Sequence, residues 1–119
     1  MDIRPKTIIS DIDGVIFKHS GVITEQHLGA ATLLPGVIEQ WASWDRKGYK
    51  IVLVTGRRES VRKDTERQLS EAGIFYDQLV MGVSGGIRVL INDHKPNSTD
   101  NTAEAINLIR NKGMEGLNV

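Results

Sequence analysis

The apolar residues of this chain fall into two spacings. Short unbroken runs at Thr7–Ser10, Ile51–Val54, Gln78–Met81 and Ile87–Ile91 predict four strands, the second rich in β-branched residues as a strand covered on both faces would be. Helical spacing separates them. Val37, Ile38, Trp41 and Trp44 mark a helix that opens after Pro35-Gly36 and ends near Gly48. Val61, Thr65, Leu69 and Ala72 mark the apolar side of a second, from about Ser60 to Ala72, with Gly73 as its stop. Ala103, Ile106 and Ile109 suggest a third, capped by Asp100 or Thr102 and closed by Gly113. The stretch from about 15 to 34 follows neither period, and Gly21 and Gly29 break it, so it reads as a flap or hairpin over the end of the first strand. The six-residue tail after Gly113 is expected to be loosely held.

Strands alternating with helices imply parallel β-α units with right-handed crossovers. The expected fold is α/β: a three-layer α/β/α, Rossmann-like parallel sheet of strand order 3-2-1-4, in one domain over residues 1–119. Ligands in such sheets bind at the carboxyl ends of strands, where the winding reverses. Asp11, Asp13, Thr55 and Asp93 all fall at such ends, although they come from three distant parts of the chain.

Charge and composition narrow the function. The chain has 15 basic and 15 acidic residues in 119, a formal net charge of zero. No basic excess exists to wrap a nucleic acid or to seat on an anionic membrane, so nucleic acid is an unlikely partner except as a small substrate end. Cysteine is absent, which excludes disulfides and thiolate metal sites. No run is long enough to span a bilayer and no apolar leader is visible, which suggests a cytoplasmic protein.

The candidate chemistry sits in Ser10-Asp11-Ile12-Asp13-Gly14. Side chains two apart on a strand share a side, so Asp11 and Asp13 would project together from the strand tip. Two adjacent carboxylates repel unless a cation or proton lies between them. The segment is therefore a candidate for divalent metal and for nucleophilic or acid–base work.

These residues resemble the haloacid dehalogenase-like hydrolase superfamily, in particular its phosphatases. Asp11-Ile12-Asp13-Gly14 looks like its first motif, Thr55-Gly56-Arg57 like its second and Ile91-Asn92-Asp93 like its fourth. The resemblance implies a Mg²⁺-dependent phosphomonoester hydrolase. Asp11 would be the nucleophile and form an aspartyl-phosphate, and Asp13 the general acid and then base. Asp11, the Asp13 carbonyl and Asp93 would hold the metal. Thr55 would donate to a phosphoryl oxygen, with Gly56 and Arg57 on the substrate side. The family's basic residue has two candidates, Arg88 and Lys95, because no lysine lies between Lys63 and Lys95. Asn92 stands where many relatives carry a second acid.

Neither interval between motifs is long enough for a folded cap domain, so the resemblance implies a capless member with an open site. Such a site suits a large or macromolecular phosphoester, or a phosphorylated small molecule, for example a sugar phosphate, if a neighbouring subunit supplies the lid. Trp41 and Trp44 read as core or as a subunit contact, leaving a homo-oligomer open. The alternative is a non-catalytic binding or regulatory domain of the same fold, motivated by the missing lysine and by Asn92.

Overall fold

Three of the apolar runs form strands and two of the amphipathic stretches form helices in the computed structural model, which describes residues 3–119. Strands β1 (Thr7–Ser10), β2 (Lys50–Val54) and β3 (Gln78–Val80) pair in parallel in the order β1-β2-β3. Helix α1 (Val37–Arg46) connects the first pair and α2 (Arg62–Glu71) the second. Single turns of 3₁₀ helix occur at Ile23–Glu25 and Glu59–Val61. No described helix is long and apolar enough to cross a membrane.

The register sorts the strand residues cleanly. Ser10 lies opposite Leu53, and Leu53 opposite Leu79, so Ile8, Ser10, Ile51, Leu53 and Leu79 share one face. Thr7, Ile9, Val52, Val54 and Val80 share the other. Two right-handed crossovers stepping the same way place both helices over a single face. Burial agrees: Ser10, Ile51, Leu53 and Leu79 are buried, whereas Ile9 is 54% exposed and Val80 is also open. On the covered side α1 contributes Val37, Trp41 and Trp44, spaced i, i+4, i+7. The two indoles meet at 4.8 Å and 52°, and Trp41 Nε1 donates to the Phe75 carbonyl (2.9 Å), so both tryptophans are core. Trp44 Nε1 is a buried donor with no partner among the described residues, a cost that the packing of its ring outweighs.

Two expected elements are not formed. The run Ile87–Ile91 is not a strand, and the stretch around Ala103–Arg110 is not a helix. The order 3-2-1 is present without its fourth member, and the sheet has two layers rather than three. The two absences go together. So short a helix is marginal without a surface to pack on, and a fourth strand beside β1 would leave one face bare without that helix. Ile87 is accordingly 96% exposed and Ile91 87%. Residues 84–107 thus form an excursion, and the molecule is long: its radius of gyration is 15.0 Å, with extents of 50 × 29 × 24 Å, against about 13.5 Å for a compact chain of this length.

Beyond the excursion the chain is firmly fixed, contrary to the expected loose tail. Met114 is buried, and its amide donates to the Pro35 carbonyl (2.8 Å). Gln40 Nε2 donates to the Leu117 carbonyl (2.7 Å). Asn111 clasps the other side: its Oδ1 accepts from the His19 amide (2.7 Å), its Nδ2 donates to the His19 carbonyl (3.1 Å), and its own amide donates to Gly14 O (2.9 Å). Gly113 permits this approach. Its φ is +85°, and a Cβ there would collide with the Pro35 carbonyl.

Candidate active site

β1 delivers Asp11 and Asp13 at its carboxyl end, and a tight loop fixes the residues after them. The amides of Ile16 and Phe17 both donate to the Ile12 carbonyl (2.8 and 3.1 Å), and Gly14 N donates to Phe17 O (2.6 Å). Gly14 makes the turn with φ +89°, a left-handed conformation that costs glycine little. Just past β2 lies Thr55, whose amide donates to Val80 O and whose carbonyl accepts from Val83 N, both at 3.0 Å. These bonds stitch the Thr55–Arg57 turn to the residues after β3.

The two aspartates have different surroundings. Asp11 is at the surface: its side chain is 38% exposed, Oδ1 accepts from the Ile12 amide (3.0 Å), and Oδ2 pairs with Arg88 Nη1 (3.4 Å). Asp13 is buried. Arg57 grips both its oxygens, Nε to Oδ2 (2.9 Å) and Nη2 to Oδ1 (2.8 Å), with neither side chain meaningfully open to water. Such fork-to-fork pairing fixes the carboxylate in orientation as well as position. The remaining terminal nitrogen, Nη1, donates to Thr65 Oγ1 (3.1 Å) and Gln68 Oε1 (2.6 Å), both on α2.

The other expected site residues separate into those near the aspartates and those away from them. Arg88 reaches Asp11 without being in a strand. Arg57 is only 1% exposed and points inward, so it does not stand at a substrate mouth. A guanidinium next to a buried carboxylate has its best partner there, and that pairing outcompetes a solvated position. Thr55 is buried, and its Oγ1 accepts from the Arg57 amide (3.1 Å), leaving its hydroxyl proton to donate elsewhere. Gly56 is exposed beside it. Lys95 is exposed in a turn in which the Ser98 amide donates to its carbonyl (3.1 Å). Asp93 is exposed on the excursion, and among the described residues no group of three or more His, Cys, Asp or Glu gathers where it could hold a metal. What the first motif offers a metal is hard oxygen, the Asp11 carboxylate and the Asp13 main chain. That set suits an ion such as Mg²⁺, which keeps several of its waters and takes few protein ligands.

Thr65, Gln68 and Gln26 are the residues that motif reading missed. Gln68 Nε2 donates to the carbonyls of Gln26 (3.3 Å) and Gly29 (3.2 Å), and Gln26 Nε2 donates to Lys18 O (2.6 Å). The one signal in the sequence was polar residues at 65 and 68 on the same helical side as Leu69.

No family model and no curated protein matches the chain. Solved structures do. A chain of a Pnkp1/Rnl/Hen1 complex is 29% identical at a TM-score of 0.56, over 71% of this chain and 30% of that one. A second structure, of the Pnkp1/Rnl/Hen1 RNA repair complex, gives 28% and 0.55 over 71% and 28%. This chain thus spans less than a third of either. A structural-genomics target from Vibrio cholerae shares the fold at 21% identity and a TM-score of 0.55, over 73% of this chain and 79% of that one.

Proposed function

We propose that this chain, on its haloacid dehalogenase-like fold, is a phosphatase-type hydrolase, a phosphomonoesterase acting through an aspartyl-phosphate on Asp11. The observation that carries this reading is the contrast between the two aspartates: an accessible carboxylate faced by a cation, and an inward one held in a fixed orientation two residues on. An Asp11 oxygen attacks phosphorus, the P–O ester bond breaks, and the leaving oxygen takes a proton from Asp13. Water then attacks the acyl phosphate, yields a proton to Asp13, and releases inorganic phosphate with Asp11 restored. Arg88 moves from the Asp11 carboxylate to the arriving phosphoryl oxygens, and the Thr55 hydroxyl and Gly56 amide donate to them.

Mg²⁺ bound by Asp11, the Asp13 carbonyl and Asp93 would supply neutralisation of the charge that otherwise keeps an anionic nucleophile from an anionic ester. Bringing Asp93 there requires Ile87–Ile91 to pair with the free edge of β1, completing the order 3-2-1-4. Two features support that pairing: the open edge beside Ile9, and an exposed apolar run of strand length that already reaches Asp11 through Arg88.

A small ester such as a sugar phosphate suits this site if a second subunit supplies the lid. The likeness to a chain of an RNA repair complex favours a second reading, the terminal phosphate of a polynucleotide. With zero net charge, only the strand end would be held. The test is hydrolysis of p-nitrophenyl phosphate, sugar phosphates and 3′- or 5′-phosphorylated oligoribonucleotides with Mg²⁺. Turnover that falls to background in Asp11→Asn is expected. Equal inertness of wild type and Asp11→Asn across the panel would sink the enzyme reading and leave a non-catalytic domain.

A further inference from the structure

We propose that Arg57 is a positioning residue that couples the 15–34 flap to the acid Asp13. The inference rests on the phosphatase reading for what Asp13 does, and on geometry alone for the coupling.

A continuous buried path joins the two. Asp13 is gripped by Arg57, Arg57 by Gln68, and Gln68 by the flap carbonyls of Gln26 and Gly29. Gln26 then fastens the flap to itself: its Nε2 donates to Lys18 O, and its Oε1 accepts from the Ser20 amide (2.9 Å) and hydroxyl (3.0 Å). Arg57, Gln68 and Gln26 are all buried. Water is therefore a poor substitute for any link, and a broken link leaves an unpaired buried polar group. Displacing the flap takes acceptors from Gln68, and Gln68 together with Thr65 braces the guanidinium on the side away from Asp13.

The arrangement has a specific chemical use. Both Asp13 oxygens are occupied by Arg57, so engaging a leaving oxygen means exchanging one guanidinium bond for it. The pair as it stands is the ionised state: a proton taken from the attacking water displaces one guanidinium bond, and giving that proton to the next leaving oxygen restores both. Arg57 touches neither the reacting phosphorus nor the substrate. It sets where the acid stands and holds it once its proton is gone.

Arg57→Ala would strand the buried Asp13 carboxylate and risks failure to fold, so the test uses Arg57→Lys, which loses the fork, and Gln68→Met, which leaves the Arg57–Asp13 pair intact. Two esters are compared with Mg²⁺ present. Glycerol phosphate has a poor leaving group that needs a proton, whereas p-nitrophenolate leaves without one. A positioning role predicts for Arg57→Lys a kcat loss on the order of 10²-fold for glycerol phosphate, a much smaller loss for p-nitrophenyl phosphate and little change in KM, and for Gln68→Met a lesser loss with the same bias between the esters. Equal losses on both esters, or none, overturn it. The second arm needs no turnover. Amide hydrogen exchange at residues 18–29 is expected to quicken in Asp13→Asn and Arg57→Lys while α1 amides keep their rates. Unchanged flap exchange in Asp13→Asn, or acceleration throughout the molecule, overturns the coupling. If wild type hydrolyses neither these two esters nor any of the sugar phosphates and phosphorylated oligoribonucleotides, the phosphatase reading falls, and the exchange arm still decides whether Asp13 and the flap are linked.

Discussion

Ile51, Leu53 and Leu79 on one face of the sheet are buried, while Ile9 and Val80 on the other stand about half open, although all are apolar residues of the same three strands. Hydropathy does not separate the two sets. The hand of the crossovers does: stepping β1-β2-β3 in one direction sends α1 and α2 to a single side. Covering the other side requires a connection that leaves β3 and steps back past β1 in the opposite direction. The residues suited to that are the exposed Ile87–Ile91 run and the Ile106–Ile109 stretch. The bare face and the unformed elements are thus two views of the same missing layer.

The strongest way to break this comparison is truncation on each face. Leu53→Ala is expected to cost about 2–5 kcal/mol by urea denaturation, since it opens a cavity in the packed layer. Ile9→Ala is expected to cost under about 1 kcal/mol. Comparable losses would mean that the second face is covered in solution.

Gly113→Ala tests the point at which the chain end locks against α1. The added methyl meets the Pro35 carbonyl and a backbone at φ +85°, and the left-handed conformation by itself costs about 1–3 kcal/mol for a non-glycine residue. The expected result is a lower urea midpoint together with faster exchange at the Met114 amide. A midpoint equal to that of wild type would show that the lock contributes nothing to the covered face.

Glu59→Gln gives the smallest effect and one that depends on pH. The Arg62 side chain, hydrogen-bonded to Glu59, holds that carboxyl below the usual glutamate range. A depressed folded-state pKa contributes stability above the unfolded value and loses it as pH falls through the folded one. The pair is exposed and screened, so the melting temperatures of Glu59→Gln and wild type should differ slightly near neutrality and converge below the glutamate range.

How far the chain could be read before its structure depended on locality. Thr7–Ser10 and the Trp41/Trp44 helix were legible because their signal, an apolar run or an i, i+3 pair, lies within a few residues and matches a buried face. Asp11, Asp13 and Thr55 were legible as strand-end polar residues. The role of Arg57 was not. In Thr55-Gly56-Arg57 it sits beside a candidate phosphate donor, and nothing in sequence says that its best partner is 44 residues upstream. Gln68 was hidden for the same reason, because a polar residue on a helix reads as solvated until something buried needs it. The fourth strand failed differently. Ile87–Ile91 has the composition of a strand, but composition cannot supply the covering helix that would make the pairing favourable.

The clasp at Asn111 has a consequence for how the polypeptide divides. Residues 84–107 leave the body after Val83, which is bonded to Thr55, and rejoin it where Asn111 grips His19 and Met114 settles beneath Pro35. Both margins of the excursion are moored to the N-terminal half. A cleavage anywhere inside it would produce two polypeptides that stay assembled, the smaller held by contacts with Gly14, His19, Pro35, Gln40 and Lys47. In that sense the chain end beyond the excursion is a detachable module, and the protein could be made as two pieces that find each other.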